Sequence, residues 1–500
     1  MGSYIPSTGE ERQAMLQAIG LTSTDQLFDV VPEAVRVKNL DLPEGLSEWE
    51  VSERMAALAG KNRVFRSVFR GAGAYRHYIP AIVKTVTSKE EFLTAYTPYQ
   101  AEISQGVLQS IFEYQTQLCE ITGMDVSNAS VYDGAVAAAE AVFMCQERKR
   151  TGVIVSGAAD PQTLAVIQTY CESRNVPVTV LPVDGCATDP AALQAVLAGD
   201  TAAVYVQSPN YFGVLEDMDA IVAAAHGAGA KVIMGVNPIS LGLLKTPGEY
   251  GVDIAVGEGQ PLGMPLSFGG PYLGFMTCKK AMMRKLPGRI VGQTTDGEGR
   301  RCFVLTLQAR EQHIRREKAS SNICSNEALC AMTASVYLAA MGPRGLKQVA
   351  STCAAHAHYL AGELAKLGFA LRSGDKPFFH EFLTDCPVDP AKLCAALEEQ
   401  EFARKSADLL LEEREWLSGQ LRKLGFRVWP SDTTFLLFEG PEDLQEACLK
   451  EGIYIRDGAS FPGLWAGTWR IGVRTREENL VLLEILREIM KERKMDRWQK

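Results

Sequence analysis

The chain has 500 residues, of which 46% are apolar and 22% are charged, and its net charge is −9 at neutral pH. This length predicts two or three domains, and the composition is ordinary for a globular protein. The negative charge gives no basic surface for nucleic acid, and no apolar run approaches the roughly 20 residues that span a bilayer.

The first 70 residues are predicted to form a helical arm. The pattern Ser7-Thr8-Gly9-Glu10 is typical of a helix cap, and Met15, Leu16 and Ile19 after it share one helical face. Ser47 is a candidate cap for a second helix. The start of the chain lacks the basic flank and apolar core of a signal peptide.

Residues 71–345 are predicted to form a large α/β domain with a mostly parallel sheet. From about residue 150, short apolar runs alternate with helical patterns at a spacing of about 25 residues, which is typical of right-handed β-α-β units. The predicted strands are 153–156, 178–182, 203–207, 232–236 and 254–256. The predicted helices are 135–146, 161–174, 190–198 and 218–228.

The first of these helices follows Tyr132-Asp-Gly-Ala135. A run of small residues that opens a helix can present backbone N–H groups to a phosphate. The same run can mark a helix start that packs closely on the sheet. The spacing does not decide between these two interpretations.

Asn237 and Gln260 stand where a pyridoxal-phosphate enzyme of this architecture has essential groups. Polar groups beyond the carboxyl ends of buried parallel strands line the crevice where an open α/β sheet binds its ligand. In such an enzyme an acid after the earlier strand holds the pyridine nitrogen protonated, and a lysine further on forms the Schiff base. An amide can neither hold a charge beside the ring nor form an imine. The chain is therefore predicted to lack the covalent anchor of the cofactor and to have no catalytic residue of its own.

Two further stretches are candidates for contact with a small ligand or a partner protein. The segment 96–106 is rich in aromatic and amide groups, which suit a rigid wall around a ligand, although a capped helix start also explains it. The segment 310–318 places seven charged or titratable residues in nine positions. A solvated helix face is the usual explanation, but the break at Ser320-Ser-Asn322 would let some of these cations point inward.

Residues 346–500 are predicted to form a smaller α+β domain. Its predicted strands are 378–383, 427–429, 435–438, 453–455 and 469–473, and its predicted helices are 412–424 and 477–491. The twelve cysteines include no Cys-x-x-Cys pair, and no metal site is predicted. Free, buried thiols of a cytoplasmic protein are expected.

Several long stretches of the chain are highly specific. They include Gly71-Ala-Gly-Ala-Tyr-Arg-His-Tyr-Ile-Pro80, Tyr96-Thr-Pro-Tyr-Gln100, Ser208-Pro-Asn-Tyr-Phe-Gly213, Gly257-Glu-Gly-Gln-Pro-Leu-Gly263 and Leu286-Pro-Gly-Arg-Ile-Val-Gly292. Over about residues 4–398 the chain resembles the P-protein of the glycine cleavage system, in particular subunit 1 of its two-subunit form. The resemblance implies the fold of type I aminotransferases. In this family only subunit 2 carries the cofactor lysine, and Gln260 falls at the place of that lysine.

From about residue 403 the chain resembles a different branch of the same fold. The stretches Gly425-Phe-Arg-Val-Trp-Pro-Ser431 and Arg470-Ile-Gly-Val-Arg474 are similar to the small domain of histidinol-phosphate aminotransferases and threonine-phosphate decarboxylases. In those enzymes the arginine that corresponds to Arg470 binds the substrate carboxylate. The chain is therefore expected to be a hybrid of two branches.

The resemblance implies a subunit of glycine dehydrogenase, which decarboxylates glycine and passes the aminomethyl group to lipoyl H-protein. Pyridoxal phosphate would lie in a partner, subunit 2, with none covalently bound to this chain, which would be inactive alone. The residues expected to complete the partner's site are Tyr96, Thr97, Pro98, Tyr99, Gln100, Glu102, Gln105, His313, Arg315, Arg316 and Lys318. Two alternatives stay open: a phosphoamino-acid aminotransferase or decarboxylase, which Arg470 suggests, and a non-catalytic interaction protein.

Overall fold

The computed structural model describes residues 7–37, 41–62, 71, 73, 75–93, 98–308, 312–319, 321–397, 400–459, 461 and 463–496. The chain divides into two compact units, Met1–Arg70 and Gly71–Lys500. Within the described ranges, no helix has the length and apolar character needed to cross a membrane.

The first unit contains two α-helices, and each begins at a side-chain cap. Helix α1 (Gly9–Ala18) follows Thr8, and helix α2 (Glu48–Ala59) follows Ser47. Each cap hydroxyl accepts a hydrogen bond from the backbone of the glutamate three residues later, whose carboxylate accepts one in return. Both predicted caps are confirmed. Leu16 is buried, whereas its predicted neighbour Ile19 is exposed.

A seven-stranded sheet lies at the centre of the second unit, in the order β1-β9-β8-β7-β6-β2-β3. In this sheet the pairs β8–β7, β7–β6, β6–β2 and β2–β3 are parallel, whereas β9 is antiparallel to both β8 and β1. The prediction of a mostly parallel α/β sheet is confirmed. The described strands before residue 310 are β1 (Val126–Ser127), β2 (Gly152–Ser156), β3 (Val178–Leu181), β4 (Val183–Asp184), β5 (Ala187–Thr188), β6 (Thr201–Gln207), β7 (Lys231–Gly235), β8 (Ile254–Glu258), β9 (Gly274–Cys278), β10 (Val291–Thr295) and β11 (Arg301–Leu305).

Both faces of the sheet are covered, so the central strands are apolar throughout. In β6, Val204 belongs to the hydrophobic core on one face, and its neighbours Ala203 and Tyr205 belong to the core on the other. Strand β7 alternates in the same way, with Val232 on the first face and Ile233 on the second. This follows from the two-residue period of a strand, and it explains why the runs in the sequence are continuous.

Helices form the two outer layers. Helices α6 and α7 supply side chains to one core, and helices α5, α9 and α12 supply side chains to the other. The helices of this unit before the last hundred residues are α3 (Ala81–Thr87), α4 (Glu90–Leu93), α5 (Gln105–Thr122), α6 (Gly134–Cys145), α7 (Pro161–Glu172), α8 (Pro190–Val196), α9 (Met218–Gly227), α10 (Pro247–Tyr250), α11 (Gln312–Arg315), α12 (Ala328–Lys366) and α13 (Pro390–Leu397). Helix α12 is interrupted at Gly342, where φ is 60° and ψ is 178°, close to the predicted domain boundary at 345.

Two predicted strands are wrong. Over 378–383 the backbone makes only an isolated bridge, between Phe378 and Val214. Phe378 instead stacks on His358, with ring centroids 3.9 Å apart, so its apolar character reflects core packing rather than strand pairing. The strand predicted at 453–455 is displaced, since the paired residues are Arg456–Asp457, whereas Ile455 is buried in a hydrophobic core without pairing.

The last hundred residues have a hydrophobic core of their own, formed by residues between 410 and 490. A four-stranded antiparallel sheet in the order β12-β13-β15-β14 contributes Phe438 and Trp469 to it. Strands were predicted at the places of β13 and β15, and both are present. The elements are β12 (Arg427–Val428), β13 (Phe435–Glu439), β14 (Arg456–Asp457), β15 (Thr468–Gly472), α14 (Gln400–Lys423), α15 (Leu444–Lys450) and α16 (Arg476–Asp496).

Candidate functional site at the carboxyl edge of the sheet

A pocket of about 220 Å³ opens at the carboxyl edge of the central sheet. Residues at the ends of β6, β7 and β8 line it, together with the start of α6. An open α/β sheet binds its ligands at this edge. The polar residues that line the pocket are Tyr75, Asp133, Asp160, Gln162, Thr163, Tyr205, Gln207, Asn237, Glu258 and Tyr272.

Asn237 and Gln260 lie at this edge, and both side chains are hydrogen-bonded within the chain. Asn237 lines the pocket, accepts from the backbone N–H of Ile239 at 3.0 Å, and lies 3.3 Å from the Nε2 of His380. Gln260 is 2% exposed, and its Nε2 donates to the carbonyl of Met264 at 2.7 Å. The amide of Gln260 therefore holds a backbone turn beneath the pocket.

The carboxylate of Glu258 occupies the start of helix α6. Its Oε2 accepts from the backbone N–H of Gly134 at 3.0 Å, and its Oε1 accepts from the N–H groups of Gln260 and Leu273 at 2.9 and 2.8 Å. The helix also packs closely on the sheet, because a Cβ at Gly134 would lie 2.8 Å from the Glu258 nitrogen. Close packing is therefore the better of the two interpretations of this helix start, and the phosphate interpretation is not supported.

Three carboxylates give the pocket a negative character. Asp133, Asp160 and Glu258 line it, whereas no lysine, arginine or histidine is among its described lining residues. Burial raises the pKa of Glu258, and the three N–H donors that lower it offset this only in part. An incoming phosphate dianion would meet carboxylates in place of the N–H groups and cations that normally bind it.

Pyridoxal phosphate does not fit this set of residues. Its phosphate would face Glu258 at the helix start, its ring nitrogen would face the amide of Asn237, and Gln260 offers its aldehyde no amine. At these three places the residues present therefore offer the cofactor none of the interactions that usually hold it.

Most of the polar lining residues were not predicted from the sequence, among them Tyr75, Asp160, Tyr205 and Glu258. Tyr205 lies in an apolar strand and is indistinguishable there from an ordinary core aromatic. Asp160 directly precedes a proline-initiated helix, which is the pattern of a helix cap. Glu258 lies two residues after a predicted strand, and residues at the carboxyl ends of such strands face the ligand crevice, so its position gave a signal.

The segment 96–106 lies against strand β11. Tyr96 and Thr97 lie outside the described residues. Pro98 is buried, the Tyr99 hydroxyl donates to Asn326, and Gln105 donates to the carbonyl of Phe303 and accepts from its N–H at 2.9 and 2.8 Å. Gln100 and Glu102 are exposed. Gln105 therefore secures the start of α5, whereas the two exposed residues are free to meet a partner.

Arg315 and Arg316 are exposed at the end of α11 and just after it. The expectation that these two cations point inward is not supported within this chain. His313 belongs to α11 and Lys318 ends the following 3-10 helix, but their side chains lie outside the described part of the structure. Exposed arginines suit either solvent or the surface of a partner protein.

Arg470 lies on β15, away from the pocket-lining residues. Its guanidinium sits over the rings of Phe435 and Phe461, 4.5 and 5.1 Å from their centroids. These contacts pack the arginine within the small domain, as cation–π pairs do.

All twelve cysteines are free thiols, and six of them are buried. Across the described ranges, no group of three histidine, cysteine, aspartate or glutamate side chains could hold a metal ion.

The purified chain should bind no pyridoxal phosphate covalently. With the cofactor added, we expect no internal-aldimine absorbance, because Gln260 cannot form an imine. The measurement is an absorbance spectrum followed by borohydride reduction and peptide mapping. A reduced adduct on a lysine near the pocket would contradict the prediction. Background labelling would instead be spread over surface lysines, and its extent would be the same in unfolded protein.

Comparison with known proteins gives matches over nearly the whole chain. The family model described as Glycine cleavage system P-protein matches residues 2–412, and the one described as Aminotransferase class I and II matches residues 387–486. A probable glycine dehydrogenase (decarboxylating) subunit 1 from Moorella thermoacetica is 52% identical over 403 residues, which is 80% of this chain and 90% of that protein. One from Desulfitobacterium hafniense is 49% identical over 399 residues, covering 79% and 90%.

Among solved structures, an inhibitor-bound glycine decarboxylase (P-protein) of the glycine cleavage system is similar over 98% of this chain and 100% of that one. The sequence identity is 37% and the TM-score is 0.71. This similarity continues beyond residue 412, where the first family model ends.

Proposed function

The chain belongs to the glycine cleavage system P-protein family, and from this membership we propose how it acts. It is subunit 1 of a glycine dehydrogenase (decarboxylating) and serves as one part of that enzyme. The observation that carries this conclusion is that about half of the aligned residues are identical to those of relatives that bear this name, over 90% of the length of those relatives.

The cofactor belongs to the partner subunit. The support is the pocket described above. There Glu258 accepts from the first N–H of helix α6, Asn237 stands in place of the acid that pairs with the ring nitrogen, and Gln260 stands in place of the Schiff-base lysine. Each substitution removes one of the three interactions that hold pyridoxal phosphate in this architecture. This chain would therefore contribute binding and positioning groups rather than the reactive centre.

The reaction of the assembled enzyme is the decarboxylation of glycine and the transfer of its aminomethyl group to the lipoyl arm of H-protein. Subunit 1 would complete the site on subunit 2, as paired subunits of this fold do. The support on this chain is the exposure of Gln100, Glu102, Arg315 and Arg316. Polar and arginine-rich surfaces of this kind are common where two proteins meet.

The aminotransferase alternative has less support. It rests on Arg470, whose guanidinium packs on two aromatic rings of the small domain. A catalytic aminotransferase also needs a lysine at the cofactor, and the described lining of the pocket contains none.

Glycine decarboxylation should appear only when this chain is mixed with a subunit 2. The measurement is release of carbon dioxide from carboxyl-labelled glycine in the presence of lipoyl H-protein. Each subunit alone should give the background rate, because the reactive cofactor and the completing surface lie on different chains. Full activity of subunit 2 alone, or of this chain alone, would overturn the proposed division of roles.

Replacing Arg315 and Arg316 together by alanine should weaken the association with subunit 2 at least tenfold, or lower the activity of the mixture by a similar factor. If the two arginines lie at the interface, their removal would leave their anionic partners unpaired. The matched control is Arg300→Ala, a similarly exposed arginine in the β10–β11 turn whose ion pairs, with Asp296 and Glu298, are both local. If the double variant and the control behave alike, the segment is an ordinary solvated face.

A further inference from the structure

Tyr205 places a buried hydroxyl in the pocket at the sheet edge. The residue is 3% exposed, lines the pocket, and its hydroxyl makes no hydrogen bond to the described residues. The backbone of Gly235 passes beside it, and a Cβ there would collide with the hydroxyl. Since no described residue occupies it, this hydroxyl is available to a ligand that enters the pocket.

Two aspartates each keep one oxygen for the same pocket. Asp133 uses Oδ1 to cap α6 through Val136 N at 2.8 Å, and Asp160 uses Oδ1 to cap α7 through Gln162 N at 2.7 Å. The Oδ2 of Asp160 points towards Gly73, since a Cβ there would lie 3.3 Å from it. Gly73 also lines the pocket, so the free oxygen lies at its wall.

The hydroxyl of Tyr205 is uncharged. Burial and then the negative charge of Asp160 raise the pKa of this phenol above its ordinary value, so it stays protonated at physiological pH. A protonated phenol can accept a hydrogen bond through its lone pairs. The wall therefore presents acceptors and negative charge, the complement of an N–H cation.

A bare metal ion is a poor match for these groups. A metal needs several ligands at about 2.0–2.6 Å, and no three candidate ligands in the described ranges converge to that extent. An organic cation with several N–H donors can bridge acceptors that lie further apart. The volume of about 220 Å³ is sufficient for such a group.

We propose that this pocket binds a cationic group, either a primary ammonium or a guanidinium, at the place where cofactor enzymes of this architecture bind an anion. Tyr205, Asp160 and Glu258 are the acceptors. The proposal rests on the assignment of the cofactor to the partner subunit. The group comes either from a free amine or from a lysine or arginine side chain of subunit 2.

Ethylammonium is the probe, titrated into the isolated full-length chain by calorimetry at constant ionic strength. We expect saturable binding and a rise in Tm. Tetramethylammonium, which has the charge but no N–H donor, should have no such effect. Equal effects of the two ions, or binding of Mg²⁺ or inorganic phosphate in place of ethylammonium, would overturn the proposal.

Tyr205→Phe and Asp160→Asn should each weaken ethylammonium binding at least tenfold. Both variants keep the size of the side chain, and in Asp160→Asn the new amide oxygen can still cap α7. The controls are Tyr170→Phe on α7 and Asp219→Asn on α9, neither of which lines the pocket. Unchanged affinity in both pocket variants would exclude this site.

Adding subunit 2 distinguishes the two sources of the cation. If a free amine is the ligand, the ethylammonium titration persists in the complex. If a partner side chain enters the pocket, the complex no longer takes up ethylammonium, and Tyr205→Phe weakens association of the subunits. Failure of the titration in the isolated chain, with normal glycine decarboxylation on mixing, would overturn this inference and leave the proposed function intact.

Discussion

Replacing Asp253 by alanine should lower the free energy of unfolding by about 2–4 kcal/mol. The side chain is 6% exposed, and its Oδ2 accepts from Val232 N at 2.9 Å and lies 2.8 Å from the Nε2 of His226. The ammonium groups of Lys231 and Lys279 lie 3.6 Å from Oδ1. Alanine would leave a buried N–H without a partner. The cations are about 40% exposed and would regain water, which keeps the loss below that of a fully buried ion pair.

The loss should depend on pH in a defined direction. Burial raises the pKa of Asp253, but the hydrogen bonds from Val232 and His226 and the charges of Lys279 and Lys231 outweigh it, so the net pKa lies below the ordinary value. A lowered folded-state pKa gives stability that is fully present above the unfolded-state pKa of about 4 and is lost as the pH falls through the folded-state value. The gap between wild type and variant should therefore narrow below about pH 4.

Urea unfolding between about pH 3 and pH 8 measures the difference in the free energy of unfolding between wild type and Asp253→Ala. Asp219→Ala is the matched control, because Asp219 also pairs with a lysine, Lys245, but its side chain is 71% exposed. An exposed pair contributes about 0–1 kcal/mol. Equal losses in the two variants, or a gap for Asp253 that does not change with pH, would show that the buried cluster adds little.

The strands that surround the pocket could be predicted from the sequence, because each strand depends on a local pattern of apolar residues. Continuous apolar runs marked the parallel strands, and the positions after them marked Asn237 and Gln260. The contents of the pocket depend on contacts between distant residues. Glu258 meets Gly134 across 124 positions of the chain, and no local pattern encodes that hydrogen bond. Tyr205 has the same strand pattern as its neighbours, although its hydroxyl faces a cavity rather than the core.

The strand errors have a related cause. Phe378 and Ile455 are apolar residues in segments with a strand pattern, and this pattern correctly predicts that they are buried. It does not report whether a second strand lies alongside, since pairing is decided by the surrounding fold. Burial was therefore predicted correctly at both residues, and pairing was not.

Phe438→Ala should lower the stability of the C-terminal core by about 3–5 kcal/mol and leave the body of the chain unaffected. Phe438 is fully buried and contacts Phe426 edge to face, with centroids 5.1 Å apart. Every member of this core lies between residues 410 and 490. The buried Glu413 is also paired inside the segment, with Arg476 Nε at 2.8 Å.

Differential scanning calorimetry is the measurement, with Phe275→Ala as the matched control. Phe275 is equally buried, but it belongs to the core of the seven-stranded sheet. If the two cores unfold separately, the thermogram has two transitions, and each variant lowers the Tm of only one. Residues 387–486 match a different family model from the one that matches residues 2–412, and the two cores have no residue in common. A single transition that both variants shift would mean that the last hundred residues are packed into the body as one cooperative unit.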